Sequence, residues 1–369
     1  MRAVADIATV ASAFRLPGEF VSAAPYGSGH INDTFAVHQR CGRETRRFLL
    51  QRINERVFRD PVALMGNVSR VCAHAQERLR ASGRDDAPRR ALTLVPTKLG
   101  ADWHRDEHGG HWRCYLFIEG ATGHDVVRDA GQAREAARAF GAFQALLADL
   151  PGGRLHETIP GFHDTPSRFA AFRRALEADV HGRAAAATPE IAFALAREGD
   201  VSVVVDALAA GVIPERVTHN DTKLNNVLLD DVTGEGICVI DLDTVMPGSA
   251  LYDFGDLVRT STSPAAEDET DLAKVEMRLP MFEALVDGYL SAADGFLTAA
   301  ERRLLPAAGK LITFEIGLRF LTDWLEGDVY FKVRRPEHNL ERCRTQFALV
   351  RSIESQLPAM EACVASRSR

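Results

Sequence analysis

The strongest constraint in this chain is one stretch of 25 residues, from His219 to Asp243. His219, Asp221 and Asn226 stand in an H-x-D-x-x-x-x-N spacing, and two short apolar runs follow, Val227–Leu229 and Ile237–Ile240. The turn-rich segment Asp231–Gly236 separates the runs, so they predict a β-hairpin. A hairpin folds the chain back on itself, so Asp241 at its far end is brought toward Asn226 at its near end. A polar loop, a hairpin and a second carboxylate therefore have to meet at one place.

Taken singly, each residue has an ordinary reading. Asp221 in His-Asn-Asp-Thr also suits a turn or a helix cap, Asn226 a turn, and Asp241 the end of a strand. Taken together they suit phosphoryl transfer. That reaction needs a carboxylate beside the attacking hydroxyl to orient it and accept its proton. It also needs magnesium across the phosphates, which prefers oxygen ligands and takes only one or two from the protein. Asp221 fits the first role and Asn226 with Asp241 the second. His219 reads as a packed or hydrogen-bonded support of the loop.

The flanking chain divides in two. Up to Ile118 the apolar runs are strand-like (Phe35–Val37, Phe48–Leu50, Leu92–Val95, Trp112–Ile118), with one helical stripe through Leu64, Val68, Val71, Cys72, Ala75 and Leu79. Glu119–Gly123 reads as a linker, and after it helical stripes dominate, one through Ala133–Leu150 and one through Leu340–Leu357. The expected fold class is α+β with two lobes: a small β-rich lobe over 1–118 and a larger helical lobe over 119–369, with ligands in the cleft between them.

Upstream, Tyr26-Gly27-Ser28-Gly29-His30-Ile31-Asn32 precedes a strand. A G-x-G turn lets backbone N–H groups approach phosphates without a Cβ in the way, and Asn32 tolerates left-handed backbone. An ordinary hairpin turn is the other reading. No G-x-x-x-x-G-K-[ST] occurs, which excludes the P-loop. With 44 Lys and Arg against 51 Asp and Glu, the net charge of −7 disfavours nucleic acid as a partner. The six cysteines show no zinc spacing and predict buried free thiols in a reducing compartment. No apolar run reaches membrane-spanning length, and Asp6 interrupts the weak signal-like start before Ala11-Ser12-Ala13, so a cytoplasmic location is expected. A monomer is expected.

The run His219–Asn226, then Cys238–Gly248, then Leu251–Asp256 resembles the phosphotransferase-enzyme family, which includes aminoglycoside phosphotransferases and choline kinases and shares the protein-kinase fold. Within that family it closely resembles the bacterial kinases that phosphorylate N-acetylhexosamines at the 1-hydroxyl. The resemblance implies Asp221 as catalytic aspartate, Asn226 and Asp241 as magnesium ligands with Asp243 contributing directly or through water, and ATP as co-substrate. It implies nucleotide contacts at Gly27, Ser28, Gly29, Asn32, Phe117 and Glu119, the last two through the backbone of an interlobe hinge. The strand Phe48–Arg52 then carries a cation for the phosphates. Gln51 stands at the expected position with Arg52 beside it, so Arg52 is the candidate and an exposed strand-edge arginine the alternative. For the acceptor the resemblance implies His30, Asp221, Lys223, Arg319 and Tyr330. Arg319 is predicted on a helix beginning near Leu311, where Glu315 and Asp323 at i−4 and i+4 also suit a salt-bridged face. An aminoglycoside or amino-alcohol phosphotransferase is the competing reading, because Glu315, Asp323, Glu326 and Asp328 would suit a cationic acceptor. A catalytically inactive binding module is the third, opposed by the presence of Asp221, Asn226 and Asp241.

Asp253-Phe254-Gly255 spells the protein-kinase D-F-G but lies 27 positions past Asn226, whereas Asp241 lies 15 past it and directly follows the apolar run. Asp253 and Asp256 are therefore expected to be structural.

Overall fold

The computed structural model describes residues 4–27, 29 and 31–367. A helix, α1 (Val4–Ser12), leads into β1 (Glu19–Pro25), β2 (Asp33–Cys41) and β3 (Glu44–Arg52); α2 (Pro61–Ala81) and the single turn α3 (Ala87–Arg90) precede β4 (His104–Arg105) and β5 (His111–Leu116). These strands form one antiparallel sheet in the order β1-β2-β3-β5-β4. One face buries Val37, Phe48, Leu50, Trp112 and Cys114 with Ile7, Val10 and Phe14 around α1. Tyr115 and Ile118 join Leu64, Val68 and Val71 of α2 in the large core shared with the rest of the chain. Asp60 caps α2 by accepting from Ala63 N, with Pro61 in the first turn.

Beyond residue 120 come β6 (Ala121–Gly123), α4 (Ala130–Leu147), α5 (Thr165–Ala178), α6 (Thr188–Leu195), α7 (Val203–Ala209), β7 (Arg216–Thr218), β8 (Val227–Asp230), β9 (Gly236–Val239), β10 (Met246–Gly248), α8 (Ala250–Ser261), α9 (Leu279–Ala293), α10 (Ala299–Leu325) and α11 (His338–Arg367). The expected α+β architecture is present: a five-stranded sheet followed by a larger helical part with a hairpin inside it. A second apolar core gathers Phe172 of α5, Phe314 and Leu321 of α10, and Phe347 of α11. No helix among the described residues is long and apolar enough to cross a membrane.

Three local expectations need correction. Leu92–Val95 is not a strand; it touches β5 through Val95 N to Cys114 O (2.8 Å) and Leu116 N to Thr93 O (3.0 Å), and Pro96 follows at once. The predicted linker is partly strand, because residues 121–123 pair with the open edge of β8. The helix carrying Arg319 begins at Ala299, closed by a capping box between Thr298 and Glu301, and it continues through Pro306. Five of the six cysteines are buried, as expected, and all are free.

Candidate active site

The hairpin forms as its spacing predicts. Val227 lies opposite Val239, and Ile240 N donates to Asn226 O at 2.9 Å. Asn226 and Asp241 are thereby set side by side at the open end of the β8–β9 pair. Asp241 itself adopts a left-handed conformation (φ 60°) and turns the chain into the short helical turn Leu242–Thr244.

The loop between β7 and β8 is held from below by Asp253. Its carboxylate accepts from His219 N (2.9 Å) and Asn220 N (2.7 Å), and Gln144 of α4 donates to it in turn. The three residues that spell D-F-G are therefore a foundation: Asp253 binds loop backbone, Phe254 packs on Phe282 and Tyr289, and Gly255 lets α8 touch the Ala308 backbone of α10. His219 is a support too. Its Nε2 donates to Ile240 O (2.9 Å) and its Nδ1 accepts from Asp221 N (3.3 Å), which fixes one tautomer and ties the loop to the hairpin.

Asp221 projects from this frame. Lys223 Nζ lies 2.9 Å from Asp221 Oδ2, and Asn226 Nδ2 donates to the same oxygen (3.0 Å) and to Asp221 O (2.8 Å). Burial by itself would raise the Asp221 pKa, but Lys223 and Asn226 outweigh it and hold the carboxyl below the ordinary range. It is ionised at neutral pH. Asp241 shows the reverse. Burial and the charges of Asp243 and Asp221 push it up to about 6, and no hydrogen-bond donor reaches its carboxylate among the described residues. With the Asn226 amide nitrogen spent on Asp221, its Oδ1 remains for another partner. A carbonyl oxygen beside an uncompensated carboxylate fits a hard divalent cation.

Asp243 is engaged elsewhere. Its side chain, 3% exposed, ion-pairs with Arg113 and accepts from Asn32 Nδ2 at 2.6 Å. Arg113, on β5 and 1% exposed, also donates from Nε (2.9 Å) and Nη2 (2.7 Å) to Gln51 Oε1. Gln51 therefore carries no cation at the expected position; it binds one supplied by the next strand. Arg52 lies outside the cleft, 3.7 Å from Asp33. Arg113 is the residue that sequence reasoning missed, although a lone arginine in Trp112-Arg113-Cys114-Tyr115-Leu116 signals a buried charge in need of a partner.

A cleft of about 480 Å³ is bordered by Gln51, Arg113, Lys223, Asn226 and Asp241, with Asp221 and Asp243 behind this lining. Gly27, Leu49, Tyr115, Phe117 and Ile118 line its sheet side, and Lys223, Asn226, Leu228, Ile240 and Asp241 the other. Gly29 also borders it; Gly27 has φ 82°, the conformation that favours glycine. Asn32 does not border it, since Asp243 and Asn54 N occupy both ends of its amide. The Glu119 carboxylate pairs with Arg47, which stacks on the Phe117 ring (3.8 Å to its centroid), and Glu119 O accepts from Arg89 (3.2 Å). Ser28 and His30 lie outside the described residues. Arg319 and Tyr330 do not line this cleft; Arg319 sits among Phe162, Tyr330 and Phe331 at 5.5–5.7 Å and reaches the Tyr330 hydroxyl at 3.4 Å.

The family model for the phosphotransferase enzyme family matches residues 22–292, well over half the chain. The chain belongs to the phosphotransferase enzyme family. Among solved structures, this family member is similar to an aminoglycoside phosphotransferase from Alicyclobacillus acidocaldarius subsp. acidocaldarius DSM 446, with a TM-score of 0.61 and 14% identity, covering 97% of this chain and 96% of that one. It is also similar to a microcompartment-associated aminopropanol kinase (TM-score 0.58, 16% identity, covering 97% and 98%). A third similar structure is a spectinomycin phosphotransferase solved with ADP and spectinomycin (0.54, 11%, 97% and 99%). At such identities the likeness speaks for the fold, and the fold is the two-part kinase-like one.

Proposed function

We propose that this phosphotransferase moves the γ-phosphoryl group of ATP to the anomeric hydroxyl of an N-acetylhexosamine, giving the 1-phosphate and ADP. The observation that carries the acceptor class is the state of the acidic side chains near Arg319. Glu315 is bound by His163 and Thr165, Asp323 accepts from Tyr330 N, Phe331 N and Asn339, and Asp328 pairs with Arg183 and Asn339. Three of the four carboxylates that would have welcomed a polycation are consumed inside the fold. Positive charge remains on both sides of the loop: Lys223 beside Asp221, and Arg319 with Arg168 near Tyr330. A neutral, hydroxyl-rich acceptor suits that balance, and an amine does not.

The chemistry follows from the loop. The acceptor oxygen attacks phosphorus, its proton passes to Asp221, and the bond from phosphorus to the β,γ-bridging oxygen breaks as ADP leaves. Lys223 keeps Asp221 ionised before attack and places a positive charge beside the transferring group. The amide of Asn226 fixes the Asp221 carboxylate in orientation. Asn226 Oδ1 and the Asp241 carboxylate would hold magnesium, which supplies neutralisation of the phosphate charge. ADP in the spectinomycin phosphotransferase structure supports ATP as the donor.

The test is ADP release from Mg-ATP with N-acetylglucosamine and N-acetylgalactosamine against choline, ethanolamine and kanamycin-type amines. Turnover with the N-acetylhexosamines supports the proposal. Turnover with the amines alone replaces it with an amino-alcohol or aminoglycoside phosphotransferase.

A further inference from the structure

His163 has no part in the chemical steps above, yet it is a buried ionisable group in direct contact with the loop that carries Asp221. Its side chain is 5% exposed, and Glu315, its partner on α10, is 0% exposed. Nδ1 lies 2.9 Å from Glu315 Oε1, and Nε2 lies 3.2 Å from the carbonyl oxygen of Asn220. Both neighbours are pure acceptors. A neutral imidazole carries one N–H, so it would turn a bare lone pair toward one of them. Both contacts are satisfied at once only by the doubly protonated ring.

The place of this contact matters. Asn220 directly precedes Asp221 and holds a left-handed backbone (φ 64°). That conformation needs support from several sides. Asp253 grips the Asn220 N–H, the Asn220 side chain donates to Thr244 O (2.9 Å), and His163 grips the carbonyl. The other end of the strut is on the acceptor side. Glu315 lies one turn before Arg319 on α10, and Phe162, the residue next to His163, packs under the Arg319 guanidinium at 5.7 Å.

We infer that His163, as an imidazolium clamped between Glu315 and the Asn220 carbonyl, is a positioning residue that sets the backbone of Asp221 and ties it to the acceptor-side helix. The inference rests on Asp221 being the catalytic aspartate of the proposed reaction.

The charges around the ring are consistent with it. Glu315 faces it from α10 and Asp256 from α8, with the Tyr252 ring of α8 at 5.0 Å; Thr165 and Asp164 flank it at the start of α5, and Arg168 and Arg319 act on Glu315. Burial alone would lower the pKa of His163, but Glu315 overrides it and the net shift is upward from 6.5. The sign then follows: the strut is complete below 6.5 and is lost as pH rises through the higher folded pKa.

The test measures kcat against pH with Mg-ATP and N-acetylglucosamine for wild type, Glu315→Gln and His163→Gln. Wild type is expected to lose kcat on the alkaline side. Glu315→Gln removes the stabilising charge, so the same limb moves to lower pH. His163→Gln is expected to lack that limb and to run about 10²-fold slower at its plateau, the cost of a displacement of about 1 Å at the reacting group. A purely structural role would lower thermal stability in both variants and leave the limb in place. A limb at the same pH in Glu315→Gln overturns the inference. If His163→Gln does not fold, nitrogen-15 NMR of the folded wild-type ring decides: two protonated ring nitrogens at pH 7 support the strut, and one overturns it. Absence of turnover with any sugar would instead count against the proposed reaction, and the NMR result would still stand by itself.

Discussion

Replacing Arg113 by methionine isolates the least expected feature of the site. The guanidinium and the Asp243 carboxylate are 1% and 3% exposed, so neither can turn to water when its partner is lost. Methionine fills a similar volume without charge. Asp243 would then keep only the Asn32 amide and the Thr158 hydroxyl's bond to its backbone carbonyl, a few residues from a second carboxylate at Asp241. Breaking a buried pair from one side costs about 3–5 kcal/mol. Against a total stability of about 5–15 kcal/mol, that is a large share. Urea unfolding followed by tryptophan fluorescence reads it directly as a lower midpoint with an unchanged slope. The double variant Arg113→Met/Asp243→Asn removes the orphaned charge and should recover most of the loss. Asp243→Asn alone is expected to retain magnesium dependence, because the Asp243 carboxylate is already engaged by Arg113 and Asn32. A loss under about 1 kcal/mol in Arg113→Met, or a double variant no more stable than the single one, would refute this account of the pair.

Asp221→Asn is expected to lower kcat by about 10²–10⁴ in the ADP-release assay with little change in KM for ATP, as befits one acid–base group. Asp241→Ala should abolish productive magnesium-nucleotide binding, read by calorimetric titration with Mg-ADP. Asp253→Ala strands two buried backbone N–H groups, His219 and Asn220, at about 1–3 kcal/mol each, and should appear as a lower urea midpoint together with lower kcat. Arg52→Ala should leave KM for ATP within about twofold of wild type, since the residue ends β3 against Asp33 and does not line the cleft.

What could be read from sequence was whatever depended on short spacing. The pairing of Asn226 with Ile240 follows from two apolar runs and one turn, so the meeting of Asn226 and Asp241 was legible. The false D-F-G was separable by its distance from Asn226, and the structure gives Asp253 a different task. Contacts between distant segments were not legible. Arg113 reaches Asp243 across 130 positions, and His163 reaches Glu315 across 152, with no local pattern that pairs them. Proline and glycine misled where tertiary contacts overrode them. The Arg319 helix was expected to begin near Leu311, but α10 starts at Ala299 and runs through the buried Pro306, and Gly120 and Gly123 read as linker although residues 121–123 complete the edge of β8. Arg52 was a choice between neighbours on one strand, whereas the cation that Gln51 binds comes from the adjacent strand.

The most direct test of the central claim is phosphorus NMR of the product formed from Mg-ATP and N-acetylglucosamine. Expected are ADP and a sugar phosphate whose phosphorus couples to the anomeric proton, formed about 10²–10⁴-fold more slowly by Asp221→Asn. A phosphate on any other hydroxyl, or the same product formed at wild-type rate by Asp221→Asn, would contradict it.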